Sequence, residues 1–152
     1  ERRDPLLRDC PQMVADERYY HLGVDIMVPV NSVLHAPLDA VVSQAGYEEG
    51  EGNYGGFILL KHVGPGFEAF YSLYGHLNPG SLPPAATQLK AGDEFARIGD
   101  FQENGNWYHH THLQMITASG LKKGYLHKGY CARKDLAEVV ELCPDPLPFF
   151  KI

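Results

Sequence analysis

The sequence predicts an all-β fold, an antiparallel β-sandwich with an open groove, followed by one short C-terminal helix. Short apolar runs of strand length recur along the chain, separated by glycine, proline and asparagine turns, which is the pattern of a sandwich or barrel. A helical period occurs near the C-terminus, where Leu136, Val139, Val140 and Cys143 fall on one face of a segment running from Arg133 to Leu142. Three histidine-bearing stretches are set into this pattern: His21-Leu22-Gly23-Val24-Asp25, Tyr74-Gly75-His76-Leu77 and His110-Thr111-His112-Leu113-Gln114.

In chain order, Val24 to Val28 is a short strand ended by Pro29, which cannot donate to a ladder. Ser32 to His35 and Ala40 to Ala45 follow, parted by the turn-like Ala36-Pro37-Leu38-Asp39. Residues 47–56 carry four glycines and three glutamates and read as an exposed hairpin loop. Phe57 to Val63 is a continuous apolar strand, and Gly64-Pro65-Gly66 turns it into Phe67 to Leu73, with Phe67, Tyr71 and Leu73 on one side. After Asn78-Pro79-Gly80 comes a proline-rich connection through Pro83-Pro84, and Ala91-Gly92-Asp93 leads into the strand Glu94 to Ile98. The polar loop Gly99 to Asn106 precedes the last motif strand, His110 to Thr117. Pro144, Pro146 and Pro148 stop the C-terminal helix. The expected division is an N-terminal extension over 1–17, a β-domain over 18–120, and a C-terminal loop and helix over 121–152 packing on the same domain.

With 152 residues the chain is long enough to bury a working core as one domain. A net charge of -6 and no local block of lysine or arginine argue against a nucleic-acid surface. No apolar stretch approaches the ~20 residues that span a membrane. The first residue is Glu1, which fits a processed product or a piece of something longer. Cys10, Cys131 and Cys143 are an odd set without ladder spacing, so reduced, mostly buried thiols are expected over a disulfide framework, with a single Cys131–Cys143 or Cys10–Cys143 bridge as the alternative in an oxidising compartment.

The chemistry lies in the histidines. In a strand His110 and His112 share a face, roughly 6.6 Å apart, so that one can bind a metal while its neighbour reaches a bound water. His21 and Asp25 would be about 13 Å apart if fully extended, and both reach one ion only if the chain bends between them. Gly23 is where that bend is expected. Taken singly, a histidine is more often a surface or satisfied core residue, and His35, His62, His109 and His127 are read so. The conjunction of the three stretches differs: it supplies three donors of the kind zinc takes plus two further imidazoles. Three protein ligands with a place left for water make a catalytic zinc site.

These residues resemble the lysostaphin-like (LytM-type) zinc metallopeptidases that cut bacterial cell-wall peptides, whose pattern is His-x-x-x-Asp, Tyr-x-His-Leu and His-x-His. The likeness continues through Ala36 to Val42, Asn53 to His62, Lys90-Ala91-Gly92-Asp93 and Ile98-Gly99, and covers about residues 18 to 117. It implies a groove-bearing sandwich of the duplicated-hybrid-motif type, with His21, Asp25 and His112 as zinc ligands. His76 and His110 become the non-ligand histidines that orient water and stabilise the oxyanion, with their two roles left unassigned. His109 ahead of the motif departs from the pattern and raises a question of register, where only His110/His112 gives His-x-His followed by Leu-Gln, and Thr111 between the two histidines is a mild departure. Some members use an upstream tyrosine, for which Tyr19 and Tyr20 both qualify.

Trp107 with the final motif, the loop Gly124 to Arg133, the helix and Cys143-Pro144-Asp145-Pro146 also resemble a peptidase-like domain in bacterial fusion proteins. Those fusions carry a class III (pyridoxal-phosphate) aminotransferase and a phosphotransferase-like domain, which would then flank this chain. Three functions follow: a zinc endopeptidase acting on cell-wall (peptidoglycan) cross-link or glycine-rich peptides, a non-cleaving binding or regulatory module, and a small-amide hydrolase within an aminotransferase fusion. The first places the protein at the cell envelope, the last in the cytoplasm. The loops Gly46–Gly56 and Gly99–Trp107 are expected to wall the groove, with Tyr74 and Trp107 as candidate substrate contacts beside packing roles.

Overall fold

The structure is a computed structural model and describes residues 11–150. Its centre is a six-stranded antiparallel sheet with strand order β2-β9-β6-β5-β4-β7. These strands are β2 (Val24–Met27), β4 (Ala40–Glu48), β5 (Gly55–Gly64), β6 (Phe67–Leu77), β7 (Gln88–Leu89) and β9 (His110–Thr117). Two antiparallel ribbons accompany it: β1 (Arg18–His21) with β10 (Tyr130–Ala132), and β3 (Val33–His35) with β8 (Glu94–Arg97). Three short α-helices, α1 (Pro11–Ala15), α2 (Ala118–Lys122) and α3 (Leu136–Leu142), and four 3-10 turns lie among the described residues.

The apolar run in β5 has its explanation in the layers. Phe57 and Leu59 pack on one face with Leu73, Ile116, Cys131, Val139 and Leu142, whereas Ile58 and Leu60 pack on the other with Val42, Tyr74, Phe95, Ile98 and Leu113. A strand buried on both faces has no solvent side to alternate with, so it reads as continuously apolar. The β3–β8 ribbon covers the second face, and β10 with α3 covers the first.

The antiparallel β architecture and the C-terminal helix are as the sequence predicts. The strand at 110–117 has the expected limits, and a 3-10 turn at Arg133–Asp135 feeds α3. Several elements run longer than expected. β4 continues to Glu48 and β5 begins at Gly55, which shortens the glycine-rich loop to residues 49–54. β6 carries on through Tyr74 and His76 to Leu77. β1, β7 and β10, of two to four residues, were not expected: runs so short carry no measurable period, and pairing with a sequence-distant partner makes them strands. Cys131 and Cys143 are buried and free, as expected, while Cys10 lies outside the described residues.

The two loops expected at the groove hold each other. Gly52 N–H donates to the Gly105 carbonyl at 3.0 Å, Gly56 N–H to the Glu103 carbonyl at 3.0 Å, and the Tyr47 hydroxyl to the Gln102 carbonyl at 3.3 Å. Among the described residues no helix is long and apolar enough to cross a membrane.

Candidate metal centre

His112 lies on β9, next to the edge strand of the sheet and between two strands that each deliver part of the site. On one side β2 pairs with β9 so that Asp25 stands opposite His112. On the other, β6 places Gly75 opposite the same residue. β1 ends at His21 and β2 begins at Val24, so the chain breaks direction at Leu22-Gly23, where the bend was expected. This brings His21 Nε2 to 3.2 Å from Asp25 Oδ1 and 2.8 Å from His112 Nδ1, with His112 Nδ1 at 3.3 Å from Asp25 Oδ1. Gly23 serves this approach through space and not through a left-handed backbone: a Cβ there would sit 2.3 Å from the Leu113 carbonyl oxygen and 2.9 Å from the His112 ring. At Gly75 a Cβ would meet the Tyr54 ring at 2.7 Å.

Each ring is aimed by a hydrogen bond on its far side. His112 Nε2–H donates to Gln114 Oε1 at 3.0 Å, which leaves the lone pair on Nδ1, facing His21 and Asp25. His76 Nδ1–H donates to the Asn104 carbonyl at 2.8 Å, and His110 Nδ1–H donates to the Tyr108 carbonyl. Both rings therefore turn Nε2 inward. His110 Nε2 is 3.7 Å from Asp25 Oδ1, and the His76 and His110 ring centres are 4.3 Å apart.

His76 is one of few non-glycine residues with positive φ, at 64°. Strict alternation would send Tyr74 and His76 to the same face. The left-handed residue breaks that alternation: Tyr74 packs against Phe95 in the far core, and His76 turns to Tyr54, His110 and His112. Backbone strain at such a site is a common mark of function.

The electrostatics follow from the crowding. Burial raises the Asp25 pKa, but hydrogen bonds and charge from His112 and His21 outweigh it and hold the carboxyl well below the usual range. Burial, then the neighbouring His110 and His112, push His76 down to about 3, so it is neutral. Two imidazole nitrogens and a carboxylate oxygen within 4.8 Å of one another are the donor set that borderline-soft divalent zinc takes.

Over residues 19–123 the chain matches the family model described as Peptidase family M23. It belongs to peptidase family M23. No curated protein sequence matches it. Among solved structures, the M23 chain is similar to a zinc containing peptidase from Vibrio cholerae (19% identity, TM-score 0.53), covering 64% of this chain and 27% of that one. It is also similar to the catalytic domain of an A109H mutant of the prophage-encoded M23 protein EnpA from Enterococcus faecalis (15% identity, TM-score 0.52), covering 74% of this chain and 75% of that one. A putative glycyl-glycine endopeptidase lytM from Ruminococcus gnavus matches at 21% identity and a TM-score of 0.45, over 77% and 45% of the two chains. The first two likenesses show the fold, and the M23 chain spans only about a quarter of the Vibrio protein.

Within the M23 chain, His21, Asp25, His76, His110 and His112 come together, and Trp107 lies beside them, its ring 6.0 Å from His76 and 6.4 Å from His110. Tyr74 is not brought to the site: it is buried on the opposite face of the sheet. Of the two upstream tyrosines, Tyr19 packs on the Met13–Tyr130 cluster beside Trp107, and Tyr20 packs into the main core. His109 points out to Asp100 at 2.9 Å, while His110 and His112 face Asp25. His35 binds the Gly92 carbonyl, His62 is held between the Asp39 carbonyl and Ser72, and His127 pairs with Glu48. Sequence reasoning missed Gln114, Asn104, Tyr54 and Tyr130. Only Gln114 carried a signal, since two residues on from His112 it shares that strand face.

Proposed function

We propose that this M23 chain is a zinc metalloendopeptidase in which His21, Asp25 and His112 hold the ion, leaving a fourth position for water. The observation that carries this reading is the mutual spacing of His21 Nε2, Asp25 Oδ1 and His112 Nδ1, from 2.8 to 3.3 Å. Tetrahedral zinc with bonds of about 2.0–2.1 Å separates its ligand atoms by about 3.3 Å, so the trio fits with its two imidazole nitrogens slightly close. When bound, zinc lowers the pKa of its water towards neutrality and polarises a carbonyl.

The remaining groups divide the proton work. His110 turns Nε2 toward Asp25, so a proton taken there sits beside a carboxylate, and His110 is the better acceptor of the water proton and its donor to the leaving amine. His76, neutral and with its Nδ1–H held by the Asn104 carbonyl, turns an accepting Nε2 inward, so it can take a hydrogen bond from the water and becomes a donor to the developing oxyanion only once that nitrogen is protonated. Trp107 lines the approach beside these rings as a substrate contact. The substrate class, peptidoglycan cross-link or glycine-rich peptides at the cell envelope, rests on the motif resemblance and the family match. The convergence of all five site residues favours cleavage over a binding module. No observation favours flanking aminotransferase and phosphotransferase-like domains or a small-amide substrate.

The test is metal content and turnover together. Wild type should hold about one zinc per chain and cleave oligoglycine or cross-linked muropeptides in preference to small amides. His21→Ala and Asp25→Ala should lose both metal and activity. His110→Gln should keep the metal and lose ~10²–10⁴-fold in turnover. A wild type that takes up no added zinc would end the peptidase reading.

A further inference from the structure

We infer that Gln114 is a positioning residue for His112, and that its own orientation is set by the C-terminal segment, so that residues beyond the family match complete the metal centre. The inference rests on the proposed reading of His112 as a ligand. Gln114 is fully buried. Its amide nitrogen donates to the Tyr125 carbonyl at 3.5 Å and to Cys143 Sγ at 3.4 Å, and its oxygen accepts from His112 Nε2–H at 3.0 Å.

The chain of causes runs inward from the C-terminus. A carbonyl can only accept, so Tyr125 requires the NH₂ end of the amide on its side. That leaves Oε1 facing His112, and an acceptor there keeps the ring proton on Nε2. Nδ1 then carries the lone pair directed at His21 Nε2 and Asp25 Oδ1. With the amide turned over, NH₂ would oppose Nε2, the ring proton would move to Nδ1, and the ligand atom would be blocked. Cys143, the residue after α3, is held in place by its N–H to the Val139 carbonyl at 2.7 Å and by Val139 and Leu142 packing in the same core as Ile116.

A second contact from the same segment reaches the other histidine donor. β10 pairs with β1 so that Tyr130 stands opposite His21, with ring centres 4.8 Å apart, and Leu22 N–H donates to the Gly129 carbonyl at 2.9 Å. Tyr125, Gly129, Tyr130 and Cys143 all lie past residue 123, where the family match ends. Two of the three donors are thus oriented by a segment outside it.

The experiment uses the whole chain. Zinc affinity is measured by chelator competition in wild type, Gln114→Leu, Gln114→Glu and Cys143→Val, and the imidazole ¹⁵N shifts of His112 are read in the metal-free proteins. Gln114→Leu should bind zinc about 10–100-fold more weakly and lose the Nε2–H preference, whereas Gln114→Glu, which still accepts from Nε2–H but no longer donates to the Tyr125 carbonyl, should keep the Nε2–H preference. Cys143→Val, which removes one anchor of the amide, should move both readouts in the same direction by less. Wild-type affinity and ring shifts in folded Gln114→Leu would overturn the inference, as would loss of the Nε2–H preference in folded Gln114→Glu. A wild type with the Nε2–H ring that binds no zinc would instead overturn the metal reading, so the two failures are separable.

Discussion

At the scale of single residues, the site depends on what is missing as much as on what is present. Gly23 has no side chain because the Leu113 carbonyl and the His112 ring occupy the place of its Cβ. Backbone cannot yield as a flexible side chain can, so Gly23→Ala must push β2 away from β9. Overpacking of this kind costs roughly 1–3 kcal/mol, and the displaced strand carries Asp25. Gly23→Ala should therefore lower the urea midpoint and weaken zinc binding together, and an alanine variant with native affinity would refute the close-approach reading. Thr111, a departure from the family pattern, is satisfied in place: its hydroxyl donates to the Gly75 carbonyl at 3.0 Å, tying β9 to β6 where the histidines meet.

At the scale of elements, the loop between β8 and β9 works as a support for the end of β6. Asn104 holds it from within, donating to the Gly99 and Trp107 carbonyls at 3.3 and 2.9 Å and accepting from Trp107 N–H at 3.0 Å. Its own carbonyl receives His76 Nδ1–H. Asn104→Ala removes all three side-chain bonds, a loss of roughly 2–4 kcal/mol at typical values per bond. The expected result is a folded, zinc-loaded protein with reduced turnover, since the proposed ligands lie on β1, β2 and β9 while His76 loses its aim. Unchanged kcat in a variant of lowered stability would show that the loop does not position His76.

At the scale of the whole molecule, a central sheet covered on both faces buries histidines that must stay neutral. Burial lowers the pKa of His62, against the opposing hydrogen bond to the Asp39 carbonyl, and burial with two neighbouring histidines takes His76 to about 3. Both folded values lie below the ordinary ~6.5, so the unfolded chain binds more protons on acidification. The stability these residues contribute is complete above about pH 6.5 and is lost as pH falls below it, for His76 continuing towards 3. The slope is at most ~1.4 kcal/mol per pH unit per histidine. Urea midpoints of the metal-free protein should fall between pH 7.5 and 5.5, and His62→Gln should flatten part of that dependence. Equal midpoints at the two pH values would contradict neutral burial.

What the sequence by itself determined is what lies within one element or one motif: the strand at 110–117, the continuous apolar run in β5, the C-terminal helix, and the set of five residues that could make a zinc site. Periodicity reports how each element meets its surroundings, and motif spacing reports which donors lie near one another along the chain. Tertiary structure alone decided the rest. It made strands of β1 and β10 by pairing them, turned His76 away from Tyr74 through a left-handed residue, and placed Gln114 between His112 and Cys143. These features rest on contacts between residues far apart in the chain, and neither hydrophobic period nor local spacing carries information about which distant atom will complete a hydrogen bond.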